Sequence, residues 1–117
     1  MNQEEKKLLL ADLLPRIQYG VKANIPLVDG DESIYTVFFN DMKDFIEGNI
    51  NIKPCLRPMS SMTVEERFEY NGLDGYIFSD EDVIIKIDWL VAHHFDYRGL
   101  IPMGLALEAT KDMYDPY

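Results

Sequence analysis

The chain has 117 residues, 47% hydrophobic and 27% charged, with 21 acids against 11 bases and a formal net charge of −10. That length fits one domain around a single core, and that composition belongs to a folded chain rather than a disordered one. The charge disfavours electrostatic capture of a nucleic-acid backbone or an anionic bilayer, and the single cysteine, Cys55, excludes an internal disulfide and a thiolate zinc cage.

Residues 3 to 14 set Leu8, Leu9, Ala11, Leu13 and Leu14 among Glu4, Glu5, Lys6 and Lys7, with Pro15 behind them. The pattern predicts a short amphipathic helix that stops at the proline and packs on a sheet. Its apolar run is too short for a signal-peptide core or a membrane span, and with a lone thiol the expectation is a cytoplasmic protein. From Tyr19 to Val28 apolar and polar residues partly alternate, Asp29-Gly30-Asp31 marks a turn, and Ser33 to Phe39 is rich in β-branched and aromatic residues, which predicts a hairpin.

Residues 41 to 47 read as a helical turn with Met42, Phe45 and Ile46 inward, ended by Gly48. From Gly48 through Val64 no acid occurs, while Lys53 and Arg57 are basic, so this stretch reads as a loop, stiffened by Pro54 and Pro58, that leaves a gap in the acidic field. Thr63-Val64-Glu65-Glu66 fits a capping box opening a brief helix that ends by Asn71-Gly72. Ser79-Asp80-Glu81-Asp82 opens a longer one, its acids placed at the positive end of the helix dipole, running to about Phe95. Val83, Ile87, Leu90 and His94 recur at helical spacing, with Ile84 and Val91 beside them, which predicts one buried stripe. Leu105 to Ala109 reads as a last strand and the Asp- and Tyr-rich tail as frayed. The expected fold is a small single α+β domain over residues 1–117: a short antiparallel sheet packed against the N-terminal helix and the longer helix of the C-terminal half.

The densest run of chemically capable side chains is HHFDYRGL, residues 93 to 100. Neighbouring histidines point about 100° apart on a helix, so His93 and His94 cannot share a metal at the usual i, i+4 spacing. His94 is expected on the buried face, donating to a backbone carbonyl. Asp96 and Arg98 are expected to satisfy nearby backbone groups, with Gly99 at positive φ ending the helix. Ser60 and Ser61 lack a nucleophile elbow and read as loop hydrogen-bonders, and Cys55 reads as a small buried hydrophobe. No glycine-rich phosphate loop occurs, and Tyr35, Phe38, Phe39, Tyr76, Phe78 and Trp89 are expected in the core. Arg57, Ser60, Ser61, His93, Asp96 and Arg98 form the candidate surface. No catalytic, cofactor or metal residue is assigned.

Two stretches, KPCLRPMSSMTVEE at 53 to 66 and IDWLVAHHFDYRGLIPMGLALEA at 87 to 109, resemble a family of short proteins encoded by gut Bacteroidetes and their phages and mobile elements. The resemblance covers about a third of the chain strongly. It implies a bacterial or phage cytoplasmic protein and carries over no catalytic residue. Acidity, small size and this resemblance lead to a non-enzymatic protein-interaction module directed at a host or phage protein, without direct nucleic-acid or membrane binding. A sharper form is a nucleic-acid mimic presenting Asp29, Asp31, Glu32, Asp41, Asp44 and Glu47. The alternative is a small metal-assisted hydrolase using His93 and Asp96, and a third reading is a homo-oligomer paired through an apolar edge strand.

Overall fold

Asn2 opens the first helix with a capping box: its side-chain oxygen accepts the Glu5 N–H at 2.8 Å, and the Glu5 carboxylate accepts the Asn2 N–H at 3.0 Å. The helix, α1 (Gln3–Leu13), gives way at Pro15 to a 3-10 segment (Leu14–Tyr19), which Gly20 leaves at φ 72. The structure is a computed structural model that describes residues 1–26, 32–74 and 80–114. The expected Asp29-Gly30-Asp31 turn, the helix-opening Ser79, the expected burial of Tyr76 and Phe78, and the acids Asp29 and Asp31 lie outside the described residues.

The expected hairpin is present. Strand β1 (Lys22–Pro26) pairs antiparallel with β2 (Glu32–Thr36), with Ala23 opposite Tyr35. On its other side β1 takes β3 (Lys53–Leu56), also antiparallel, and β3 takes β4 (Leu107–Glu108) in parallel, so the order is β2-β1-β3-β4. The fold is α+β, but the sheet is mixed rather than antiparallel, because the chain returns to β3 only after two helices. The acid-free stretch read as a loop contains β3. A proline argues against a central strand, yet Pro54 lies opposite Ala23 where β4 has not begun, since β4 joins from Cys55 onward.

The main core lies where Leu9 and Leu13 of α1, Val21, Ala23 and Ile25 around β1, and Met42 and Phe45 of α2 (Phe39–Ile46) meet Ile52, Leu56, Leu100 and Leu105. Burying them is the main source of stability. Ile46, expected inward, is exposed, and so are Tyr35, Phe38 and Phe39: β2 is an edge strand and α2 a short helix with one buried face.

A second cluster joins α3 (Val64–Asn71) to α4 (Asp80–Ala92). The Thr63–Glu66 capping box forms as expected. Trp89 is buried at the centre of the cluster, its ring 5.4 Å from Tyr70 and 5.7 Å from Phe95, its Nε1–H donating to Glu69 at 2.9 Å. Lys86 reaches back to Asp74 at 2.9 Å across the Tyr70 ring.

Helix α4 ends at Ala92 rather than near Phe95, and His94, not Gly99, terminates it. The Phe95 N–H donates to Leu90 O at 2.9 Å and the His94 N–H to Val91 O at 3.1 Å, the paired bonds of a Schellman motif, with His94 at φ 62 in the left-handed position where glycine is usual. Gly99 has φ 77, as expected, in the following turn. Nor is the tail frayed through Tyr114. Its buried hydroxyl accepts the Lys22 N–H at 2.8 Å and donates to Cys55 O at 2.6 Å, fastening the C-terminal segment across β1 and β3. Among the described residues no helix is long and apolar enough to cross a membrane.

Candidate functional site

The residues of HHFDYRGL fold inward onto a network of buried charge. Asp12 and Arg16, one helical turn apart, form a fully buried pair with Arg16 Nε 2.9 Å from Asp12 Oδ2, and Arg16 Nη2 donates to Phe95 O at 2.6 Å. Arg98 adds its Nε at 3.4 Å from Asp12 Oδ1. Arg98 therefore serves a carboxylate, not the helix-end carbonyls expected of it. Both Asp96 oxygens accept backbone N–H groups, from Leu100 at 2.8 Å and Ile101 at 2.9 Å, as a turn acid should.

Arg57 is drawn into the same network. Its N–H donates to His94 O and its carbonyl accepts the Asp96 N–H, each at 2.8 Å, which zips the end of β3 to the segment after α4. Its guanidinium lies under the Phe95 ring, 4.2 Å from the centroid, and grips both oxygens of Glu66 at 2.6 and 2.7 Å. That hydrogen-bonded cation holds the Glu66 carboxyl down at about 2. Arg57 and Asp96 are thus buried and drop out of the candidate surface. Ser61 donates to Pro58 O at 2.7 Å, a loop hydrogen bond, and Ser60 is exposed one residue before it.

The two histidines diverge. His93 stacks on Trp89, centroids 4.0 Å apart, with Nδ1–H donating to Trp89 O at 2.8 Å. His94 stacks on Tyr114 at 3.9 Å, and its Nε2–H donates to Tyr19 O at 2.9 Å, the backbone bond expected of it. The carbonyl fixes the Nε2–H tautomer, so Nδ1 is an acceptor, and it has no hydrogen-bond partner among the described residues. Burial first, then the Arg16 charge, lowers the His94 pKa to about 4, which keeps the ring neutral at pH 7.

A cleft of about 500 Å³ opens beside this histidine, lined by Tyr19, Lys22, Arg57, His93, His94 and Tyr114 among others. Most of its polar groups are committed: Lys22 Nζ to Met113 O at 3.0 Å, Arg57 to Glu66, Tyr114 to β1 and β3. Burial raises both the Tyr114 phenol and the Cys55 thiol above their usual ranges, so neither supplies a ready nucleophile. Among the described residues no three His, Cys, Asp or Glu side chains are placed to hold a metal ion. The charged groups of the cluster are engaged with one another and with the backbone, and His94 presents a neutral acceptor.

One apolar surface that the fold leaves uncovered lies on α4. The predicted stripe divides in two. Leu90, Val91 and His94 are buried against the body, whereas Val83, Ile84 and Ile87 are 39%, 59% and 36% exposed. The side carrying Lys86 and Trp89 faces α3 and the residues just after it instead. On the far side of α3, Val64 and Phe68 stand out from the helix, each 83% exposed. A signal for this was present in the sequence: Val83-Ile84-Ile85 with Ile87 is more apolar surface than one helix face can bury. Asp12 and Arg16 had their own signal in i, i+4 spacing. Compared with protein-family models, curated proteins and solved structures, the chain matches none.

Proposed function

We propose that the chain is a small acidic protein-interaction module without catalytic activity, acting in the cytoplasm on a host or phage protein and docking through α4. The observation that carries this reading is the division of the α4 stripe: a helix that served only its own fold would carry polar residues beyond the point where the body stops covering it. The charged side chains that would otherwise suggest chemistry are spent on one another and on the backbone, which supports a scaffold role for the HHFDYRGL segment.

The test is affinity capture from a bacterial lysate with the wild-type chain and with the double variant Ile84→Ser, Ile87→Ser, read by mass spectrometry. A partner retained by the wild type and lost by the variant is expected. Identical retention by both chains overturns α4 as the docking element. A second reading, self-association through β2, is favoured by one observation: β2 is an edge strand whose Ile34 and Tyr35 are exposed. It predicts a dimer in sedimentation that Ile34→Lys disperses.

A further inference from the structure

Resting on the interaction-module reading, we infer that the overhanging half of the α4 stripe receives a basic amphipathic helix of a partner protein. The shape of the site follows from spacing. Val83 and Ile87 lie in one i, i+4 row and Ile84 and Ile87 in an i, i+3 row, and these rows are the ridges between which a second helix packs. The stripe is continuous with Leu90 and Val91 in the body, so a helix laid along it extends an existing packing surface rather than starting a new one.

The sign of the partner follows from charge. The exposed charged side chains of α4 are Asp80, Glu81 and Asp88, all acids. The helix has one base, Lys86, and it is turned inward to Asp74 at 2.9 Å and to the Tyr70 ring at 4.5 Å. An approaching segment therefore meets isoleucine and valine bordered by carboxylates, on a chain of net charge −10. Lysine or arginine flanking an apolar row complements that border, while a second copy would bring the same acids to it. An anionic bilayer is repelled for the same reason.

The probe is a fluorescein-labelled peptide of leucine and lysine in amphipathic helical order, titrated with the full chain at physiological salt and read by anisotropy. Saturable binding is expected, weakened about tenfold or more by Ile84→Ser with Ile87→Ser and within about twofold of wild type for Val64→Ser with Phe68→Ser. Asp80→Asn, Glu81→Gln and Asp88→Asn together should weaken binding several-fold and flatten its salt dependence. The corresponding leucine–glutamate peptide should not bind. Should the serine pair lower the melting temperature, Ile84→Thr with Ile87→Thr keeps the branched shape and must give the same loss. No binding of the basic peptide, binding that survives loss of the two isoleucines, or a wild-type dimer that those substitutions dissolve each overturns the inference. If lysate capture depends on Ile84 and Ile87 while the basic peptide fails, the interaction module stands and its basic partner falls.

Discussion

The Arg57 guanidinium and the Glu66 carboxylate meet in a two-point pair, at 2.6 and 2.7 Å, beneath the Phe95 ring. This one contact joins the end of β3, the first turn of α3 and the segment after α4. Glu66 also caps α3 by accepting the Thr63 N–H at 3.0 Å. Glu66→Gln keeps the shape and removes the negative half of a buried pair, a change that costs roughly 3 kcal/mol or more in comparable settings. Urea denaturation measures it, and a loss below about 1 kcal/mol would place the pair with ordinary surface salt bridges.

Acid should remove stability over two pH windows. His94 titrates at about 4 in the fold against an ordinary 6.5, so the stability tied to its neutral ring is complete above 6.5 and lost as pH falls from there toward 4. Glu66, at about 2 against 4.5, keeps its contribution above 4.5 and loses it as pH falls from 4.5 toward 2. The His94 window is worth on the order of 3 kcal/mol, and the Glu66 window less, because solvent screens that more open carboxylate. His94→Ala should flatten the stability profile between pH 6.5 and 4.5 and leave the lower loss in place. A variant whose profile parallels wild type through that upper window refutes the assignment to His94.

Trp89 binds α3 to α4 through Tyr70, Glu69 and His93, and it is buried. Trp89→Ala should cost about 3 to 5 kcal/mol, the range for a large aromatic removed from a core. A cost below about 1 kcal/mol in urea denaturation would mean that the two helices do not depend on each other.

The elements that were legible from sequence are those coded locally: the Pro15 stop, the hairpin, the Thr63–Glu66 capping box, the acidic start of α4, the burial of Trp89. What escaped is coded at long range. Pro54 masks β3, because whether a proline fits a strand depends on where a neighbour strand begins. The α4 stripe is periodic to its N-terminus, but how far the body covers it is set by chain far away in sequence, so Val83 and Ile87 read as core and are exposed. Arg57 and Asp96 read as candidate surface and are buried, since a charge's burial depends on partners such as Glu66 and the backbone of Leu100. The role of His94 was half legible: its backbone bond was expected, its place in the left-handed region was not, because glycine normally occupies that position and Gly99 stood nearby.

That position gives the sharpest test of how the HHFDYRGL segment works. At φ 62 a residue with a Cβ costs roughly 1 kcal/mol relative to glycine, and His94 bears that cost while its ring stacks on Tyr114 and donates to Tyr19. His94→Ala keeps the backbone strain and loses the ring, whereas His94→Gly loses the ring but relieves the strain. Both variants should be less stable than wild type, with His94→Gly ahead of His94→Ala by about 1 kcal/mol in urea denaturation, the reverse of the order expected at an ordinary helical position. Gly99→Ala should cost about the same 1 kcal/mol and no more, because a Cβ there meets nothing within 4 Å and only the φ of 77 resists it. If His94→Ala proves as stable as His94→Gly, the Schellman termination at His94 is wrong. If Gly99→Ala melts within a degree of wild type, the turn after Asp96 does not need its left-handed residue, and the segment is open again to a role outside the framework.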